Sequence, residues 1–151
     1  LPLYDRSQVR LAERWGFDLN AADAADRAER LLSEAPGDAD RLLLAAAVRS
    51  SRGDAAGALE AARQAVAAAP GSARAQTTLA ALLAGSEPAE ARRHADRAVE
   101  LDPSDPAAIY NRGLVSWTLG EHGRARADFD RAAELLGMAP LPWWRRWRTT
   151  R

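Results

Sequence analysis

His94 and His122 are the only imidazoles in a chain of 151 residues that has no cysteine. A metal site on one helix would need a second ligand three or four residues beyond a histidine, and neither histidine has one. Both are read as solvated surface residues. The acid pairs Asp102/Asp105 and Asp128/Asp130 fall at helix caps and on exposed helix faces, where solvation accounts for them. No Gly-x-Ser-x-Gly elbow and no phosphate-cradling glycine loop is present. The chemistry-bearing residues therefore predict no catalytic centre, no metal and no cofactor. The chain is not expected to be an enzyme.

A different chemistry is concentrated in 140–151. Trp143, Trp144, Arg145, Arg146, Trp147 and Arg148 follow Pro140 and Pro142, so three of the five tryptophans lie within a dozen residues. If helical after Pro142, the segment places Trp143 and Trp147 on one face at i, i+4. It is too short to hold a helix alone in water, so it needs a surface to dock on. Four readings compete for it. The first is a cap over 122–136, since a solenoid must cover its last apolar face. The second is a partner protein, including the groove of a neighbouring copy, which gives self-association. The third is contact with a membrane surface, with indoles at the headgroup level and arginines on anionic lipid. Nucleic acid ranks last, because the rest of the chain is acidic and repels a phosphate backbone. Residues 1–138 carry 17 Arg against 21 Asp plus Glu, a balance of −4, while 139–151 carry four Arg and no acid, +4.

The elements that position these residues repeat. Ala24, Ala58, Ala91 and Ala125 are spaced by 34, 33 and 34 residues. Ala12, Ala46, Ala80 and Gly113 follow at 34, 34 and 33; Leu31, Ala65, Ala98 and Ala132 at 34, 33 and 34. Units of this length cannot bury an apolar face singly and must stack. The missing residue falls between Ala80 and Ala91, which predicts a shortened turn around 84–86, because a deletion inside a helix would rotate its packed face by about 100°.

Alanine-rich stretches with proline only near their ends read as helices. The expected pairs are 5–16 with 21–35, 38–52 with 55–69, 73–84 with 88–101, and 106–119 with 122–136. Asp38, Asp54, Ser72, Ser86 and Asp105 stand where N-caps belong, and Gly53 and Gly120 mark turns. Alanine or glycine in these three columns lets paired helices approach, with Leu11, Leu79, Leu82, Leu101 and Leu119 filling between units. The fourth unit, with Ile109, Tyr110, Leu114, Trp117, Phe129 and Leu135, reads as the richest in apolar bulk. The second, with Ala61, Ala62, Ala65, Ala67 and Ala68, reads as the poorest.

The stretch from Ala108 through Tyr110, Asn111 and Gly113, then Leu119-Gly120, then Ala125, Phe129 and Ala132, resembles the tetratricopeptide repeat. Units 39–72, 73–105 and 106–139 match it, with 5–38 a degenerate first unit. The resemblance implies an all-α, right-handed solenoid of stacked antiparallel helix pairs over 1–139, with about eight helices, followed by the tail 140–151. Departures are Ala28, Ala62 and Ala95 where the family places an aromatic, and Arg112 in place of an apolar residue. The resemblance also implies a groove lined by first helices that takes a partner peptide or protein. Carried over place by place, that groove comprises Asp40, Leu43, Leu44, Ala47, Arg74, Thr77, Ala81, Tyr110, Asn111, Leu114 and Trp117. Only Arg74 and Asn111 suit a carboxylate clamp, so an apolar peptide is the expected ligand.

The expected function is a protein-interaction scaffold or adaptor, with a membrane-peripheral assembly factor using the tail as the rival. No apolar run approaches the roughly 20 residues of a membrane span. Lysine is absent and all 21 basic residues are arginine, the signature of a GC-rich bacterial genome. Cytoplasmic or membrane-peripheral placement is expected, with the periplasm as an alternative. The start at Leu1 reads as an excised domain or processed product.

Overall fold

The computed structural model describes residues 22–138, which form seven α-helices. These are α1 Ala24–Glu34, α2 Ala39–Ser51, α3 Ala55–Ala68, α4 Ala73–Leu83, α5 Pro88–Leu101, α6 Pro106–Thr118 and α7 His122–Leu135. The expected helix 5–16 and the tail lie outside the described residues. Helices α2/α3, α4/α5 and α6/α7 are the pairs, and α1 is the second helix of the first unit. Each second helix packs on the first helix of the next unit, and the first helices α2, α4 and α6 also pack in succession. The first helices therefore line one face of the stack and the second helices the other. The fold is an all-α solenoid.

Local chemistry sets most helix starts. Asp38, Asp54, Ser72 and Asp105 accept from the backbone N–H of Arg41, Gly57, Ala75 and Ala107 at 2.8–3.2 Å, satisfying donors left free by the helix start. Ser86 does not cap as expected. Helix α5 opens one residue later, with Pro88 in its first turn and Glu87 as an N-cap that makes no side-chain bond. The proline ring presets φ for that turn and moves the start off the serine.

The one-residue deletion is distributed differently from the expected turn contraction. Helices α2 and α6 have 13 residues and end in left-handed Gly53 (φ 80°) and Gly120 (φ 78°). Asp54 N–H bonds Arg49 O and Glu121 N–H bonds Ser116 O, at 2.9 and 2.8 Å, closing the same reversed turn. Helix α4 has only 11 residues and its connector, 84–87, is one longer than 52–54 and 119–121, the other two connectors within pairs. Gly85 has no positive φ, and Glu87 N–H bonds back to Leu83 O at 2.8 Å. Losing one residue removed the left-handed glycine turn, and the chain unwinds the end of the helix to bridge the gap.

The alanine columns are buried: Ala46, Ala58, Ala80, Ala91 and Ala125 are at zero exposure. The second unit is not short of large side chains overall. Its first helix buries Leu42, Leu43, Leu44 and Val48, while the fully buried residues of α3 are all alanine, with Leu59 and Val66 half-buried against the core. Leu79 is buried and Leu82 and Leu101 are half-buried between units as expected. Leu119 instead ends α6 beside Gly120 and is 38% exposed, because the turn carries it outward.

Candidate interaction face

On the first-helix face, Asp40 of α2 and Arg74 of α4 occupy the same place in successive units, 34 residues apart. Helix stacking brings them to an ion pair at 3.4 Å. Both stay accessible, so the pair is weak in energy and sets local charge order on the face. Leu43, Leu44, Ala47 and Thr77 are 0–6% exposed and contribute packing rather than open surface. Thr77 Oγ1 donates to Ala73 O at 2.9 Å, one turn back on its own helix. Ala81 is half-buried.

The fourth unit gathers the remaining expected residues. Tyr110, Leu114 and Trp117 recur at i, i+4 and i+7 on α6, so they form one stripe. They pack around Ala125 and Phe129, with the Tyr110 and Phe129 rings 5.2 Å apart and tilted by 48°. Burial pushes the Tyr110 phenol up from its ordinary pKa, so it stays a neutral hydrogen-bonding group. The Trp117 indole lies 4.5 Å from the His122 ring, so His122 is exposed but not merely solvated.

Asn111 lies beside this stripe and is 2% exposed. Its Nδ2 is the one buried side-chain nitrogen or oxygen among the described residues that has no hydrogen-bond partner. Such a group costs about 1–3 kcal/mol of desolvation, so the fold carries it at a loss. Val115, one turn further on the same side of α6, packs among Leu79, Ala80 and Leu83. Asn111 therefore sits at the seam between the first helices of units three and four.

The second-helix face is built from ion pairs. Arg112, the departure from an apolar place, donates from Nε and Nη2 to Asp128 at 2.9 and 2.6 Å. This fork-to-fork geometry raises the Arg112 pKa further, first through the hydrogen bond to Asp128. Arg92 donates to Ser116 Oγ and Glu121 Oε2, both at 2.6 Å, and pairs with Asp96 at 3.2 Å. Arg92, Asp96, Arg112, Ser116 and Asp128 line an open cleft of about 450 Å³ together with Arg124 and Ala127. Its charges are already matched to one another.

Sequence reasoning missed a buried polar link between units. Gln76, 5% exposed, accepts at Oε1 from His94 Nδ1 at 2.8 Å and donates from Nε2 to Pro70 O at 3.1 Å. His94 is thus a partly buried bridge within its unit, contrary to the solvated reading. Burial is the main cause of its lowered pKa, with Glu90 opposing. The signal was available: Gln76 stands in the column of Leu42 and Ile109, a polar residue in an otherwise apolar place. The tail residues Trp143, Trp144, Arg145, Arg146, Trp147 and Arg148 lie outside the described residues. Among the described residues no three of His, Asp and Glu gather as a metal set, and no helix is long and apolar enough to cross a membrane.

No protein-family model matches the chain, and no curated protein does. Solved structures do. TTC0263, a thermophilic TPR protein of Thermus thermophilus, is 27% identical with a TM-score of 0.69, over 89% of this chain and 72% of that one. MamA is 24% identical at a TM-score of 0.63, over 72% of this chain and 64% of its own. YrrB, described as a TPR protein with an unusual peptide-binding site, is 21% identical at a TM-score of 0.64, over 75% of this chain. This chain spans 64% of the MamA structure and 59% of the YrrB structure.

Proposed function

We propose that this chain, which has the tetratricopeptide-repeat fold, is an interaction module that binds a partner peptide along its first-helix face, centred on Asn111. The observation that carries this reading is the buried, unpartnered Asn111 Nδ2. A buried donor without a partner calls for an acceptor that the free chain does not supply, and a peptide carbonyl is the simplest one, reaching Asn111 as the seam between α4 and α6 opens. The half-buried Tyr110, Leu114 and Trp117 beside it offer apolar and aromatic surface for the peptide's side chains, while Asp40 and Arg74 fix charge order at the other end. The helices are preformed, so little ordering cost opposes association. A non-catalytic scaffold or adaptor role follows from the same surface.

Asn111→Leu tests this directly. Replacing an unsatisfied amide by an apolar side chain of similar size raises the thermal midpoint of the free chain and reduces partner capture from the source organism. A variant that keeps full capture removes Asn111 from the site. Tyr110→Ala then asks whether the aromatic stripe binds without it.

A further inference from the structure

The junction between units two and three is more sparsely packed than the one between units three and four. First helices α2 and α4 pack far less closely than α4 and α6 do, and the second helices α3 and α5 scarcely approach one another. Charge spans the gap between those second helices. Arg63 Nη2 of α3 lies 3.6 Å from Glu87 Oε1, in the connector ahead of α5, and 3.6 Å from Glu90 Oε2 in α5 itself. On the opposite edge, the Asp40–Arg74 pair links the first helices.

His94 faces the same Glu90 carboxylate, and its other bond fixes where a proton can be added. Pro70 O can only accept, so the Gln76 amide turns its nitrogen to Pro70 and its oxygen to His94. That oxygen also only accepts, so Nδ1 carries the hydrogen of the neutral ring. Nε2 is left as a bare lone pair 3.8 Å from Glu90 Oε1, at i, i+4 on α5. In the neutral ring a lone pair thus faces an anion, and no bond joins them. A proton on Nε2 makes the same contact a charged donor and acceptor, a small side-chain adjustment short of a hydrogen bond.

We infer that this junction is an acid-operated hinge, in which a proton on His94 Nε2 draws Glu90 away from Arg63 and leaves α3 held to the third unit's second helix by Glu87 alone. Glu90 meets His94 on its own helix, whereas Arg63 reaches across a gap and sits beyond hydrogen-bond length from both carboxylates. The remaining charges act in the same sense. Arg93 of α5 and Arg63 of α3 both oppose the proton, and an imidazolium repels Arg63 in return. Helix α4 presents the neutral Gln76, and α6 meets α5 on its Arg92 side, about 200° round the helix from His94. Burial keeps the ring neutral until the pH is below the ordinary imidazole value, so the hinge is shut at neutral pH. Because Asp40 and Arg74 lie on the other edge, the second-helix side opens and the first helices form the pivot. The hinge uses neither Asn111 nor the aromatic stripe, so it stands apart from the groove reading.

The test uses paired spin labels in the full chain, which has no cysteine of its own. Ala56, Ala89 and Gly123 are exposed and occupy one place in successive second helices, each two residues before the repeat alanine. Ala56→Cys with Ala89→Cys spans the hinge, and Ala89→Cys with Gly123→Cys spans the next junction. Between about pH 7.5 and 5 the first distance lengthens and broadens, with the midpoint of the His94 imidazole read by NMR, and the second is unchanged. His94→Gln keeps the first distance short throughout. Arg63→Ala lengthens it throughout and raises the His94 midpoint, since by linkage Arg63 and the proton compete for Glu90. Four results would each overturn the hinge. They are an unchanged first distance, a change that survives His94→Gln, equal changes at both junctions, and a His94 midpoint that stays or falls in Arg63→Ala.

Discussion

The α2/α3 and α6/α7 pairs solve one packing problem in opposite ways. In α2/α3, Ala46 faces a second helix lined by Ala58, Ala61, Ala62 and Ala65, all at 0–1% exposure, and the bulk lies on the first helix in Leu42, Leu43 and Leu44. In α6/α7 the same two columns hold Gly113 and Phe129. The ring fills the space that the missing Cβ leaves, with its Cε1 2.7 Å from where that Cβ would be. One unit places small on small, the other nothing on large. The backbone pairing is the same because the summed volume across the crossing, not either residue, is what the helix spacing requires.

Four measurements bear on that contrast, beginning with the largest effect. Phe129→Ala leaves Gly113 facing a void, and thermal unfolding should show a loss of about 3–5 kcal/mol. Gly113→Ala gains helix propensity but drives a methyl into the ring, for a net loss of about 1–3 kcal/mol. The double variant recreates the small-on-small crossing of α2/α3. It should be less destabilised than the sum of the two, by at least ~1 kcal/mol in a double-mutant cycle; strict additivity would show that the pair is not coupled. Next, hydrogen exchange should find the amides of α3 less protected than those of α2 and α7, since its fully buried side chains are all methyl groups, with only the half-buried Leu59 and Val66 beside them. Equal protection would mean that helix propensity makes up the difference.

The smallest effect lies in the unit between the two. Burial favours neutral His94, so the unfolded chain takes up a proton at a higher pH than the folded one. The stability that goes with a neutral His94 is complete above the ordinary imidazole value of 6.5 and declines as pH falls below it toward the lower folded value, because the charge is taken into a partly buried place while the Nδ1–H bond to Gln76 is kept. Glu90 moderates the loss, while Arg63 and Arg93 add to it. His94→Gln should flatten the slope of the midpoint between about pH 7 and 5; an unchanged slope would assign it elsewhere.

The periodic part of the molecule was legible because burial at a helix crossing demands small residues at fixed intervals. The columns located every described helix to within three residues. Side-chain direction was less legible. Leu43 and Leu44 follow one another on α2 and both turn inward, since the helix is enclosed by α1, α3 and α4, so the face assigned to the groove is partly core. Arg112 read as a defect in an apolar place because its partner, Asp128, is 16 residues away, a separation with no helical meaning. Asn111 was named from resemblance alone; its unsatisfied amide is a property of the packed seam and leaves no mark in the sequence.

The Gly113–Phe129 pair also constrains the order in which such a crossing can change. From two alanines, introducing phenylalanine first puts a ring where a methyl already stands, a step of about 1–3 kcal/mol. Introducing glycine first costs only its backbone freedom, about 0.5–1 kcal/mol, and opens the room that the ring then fills. With stabilities of only about 5–15 kcal/mol to draw on, the glycine-first route is the passable one. Ala46/Ala62 and Ala80/Ala95 are the unaltered starting point of that path within the same chain, which makes any of these units convertible into the other kind by two substitutions in the right sequence.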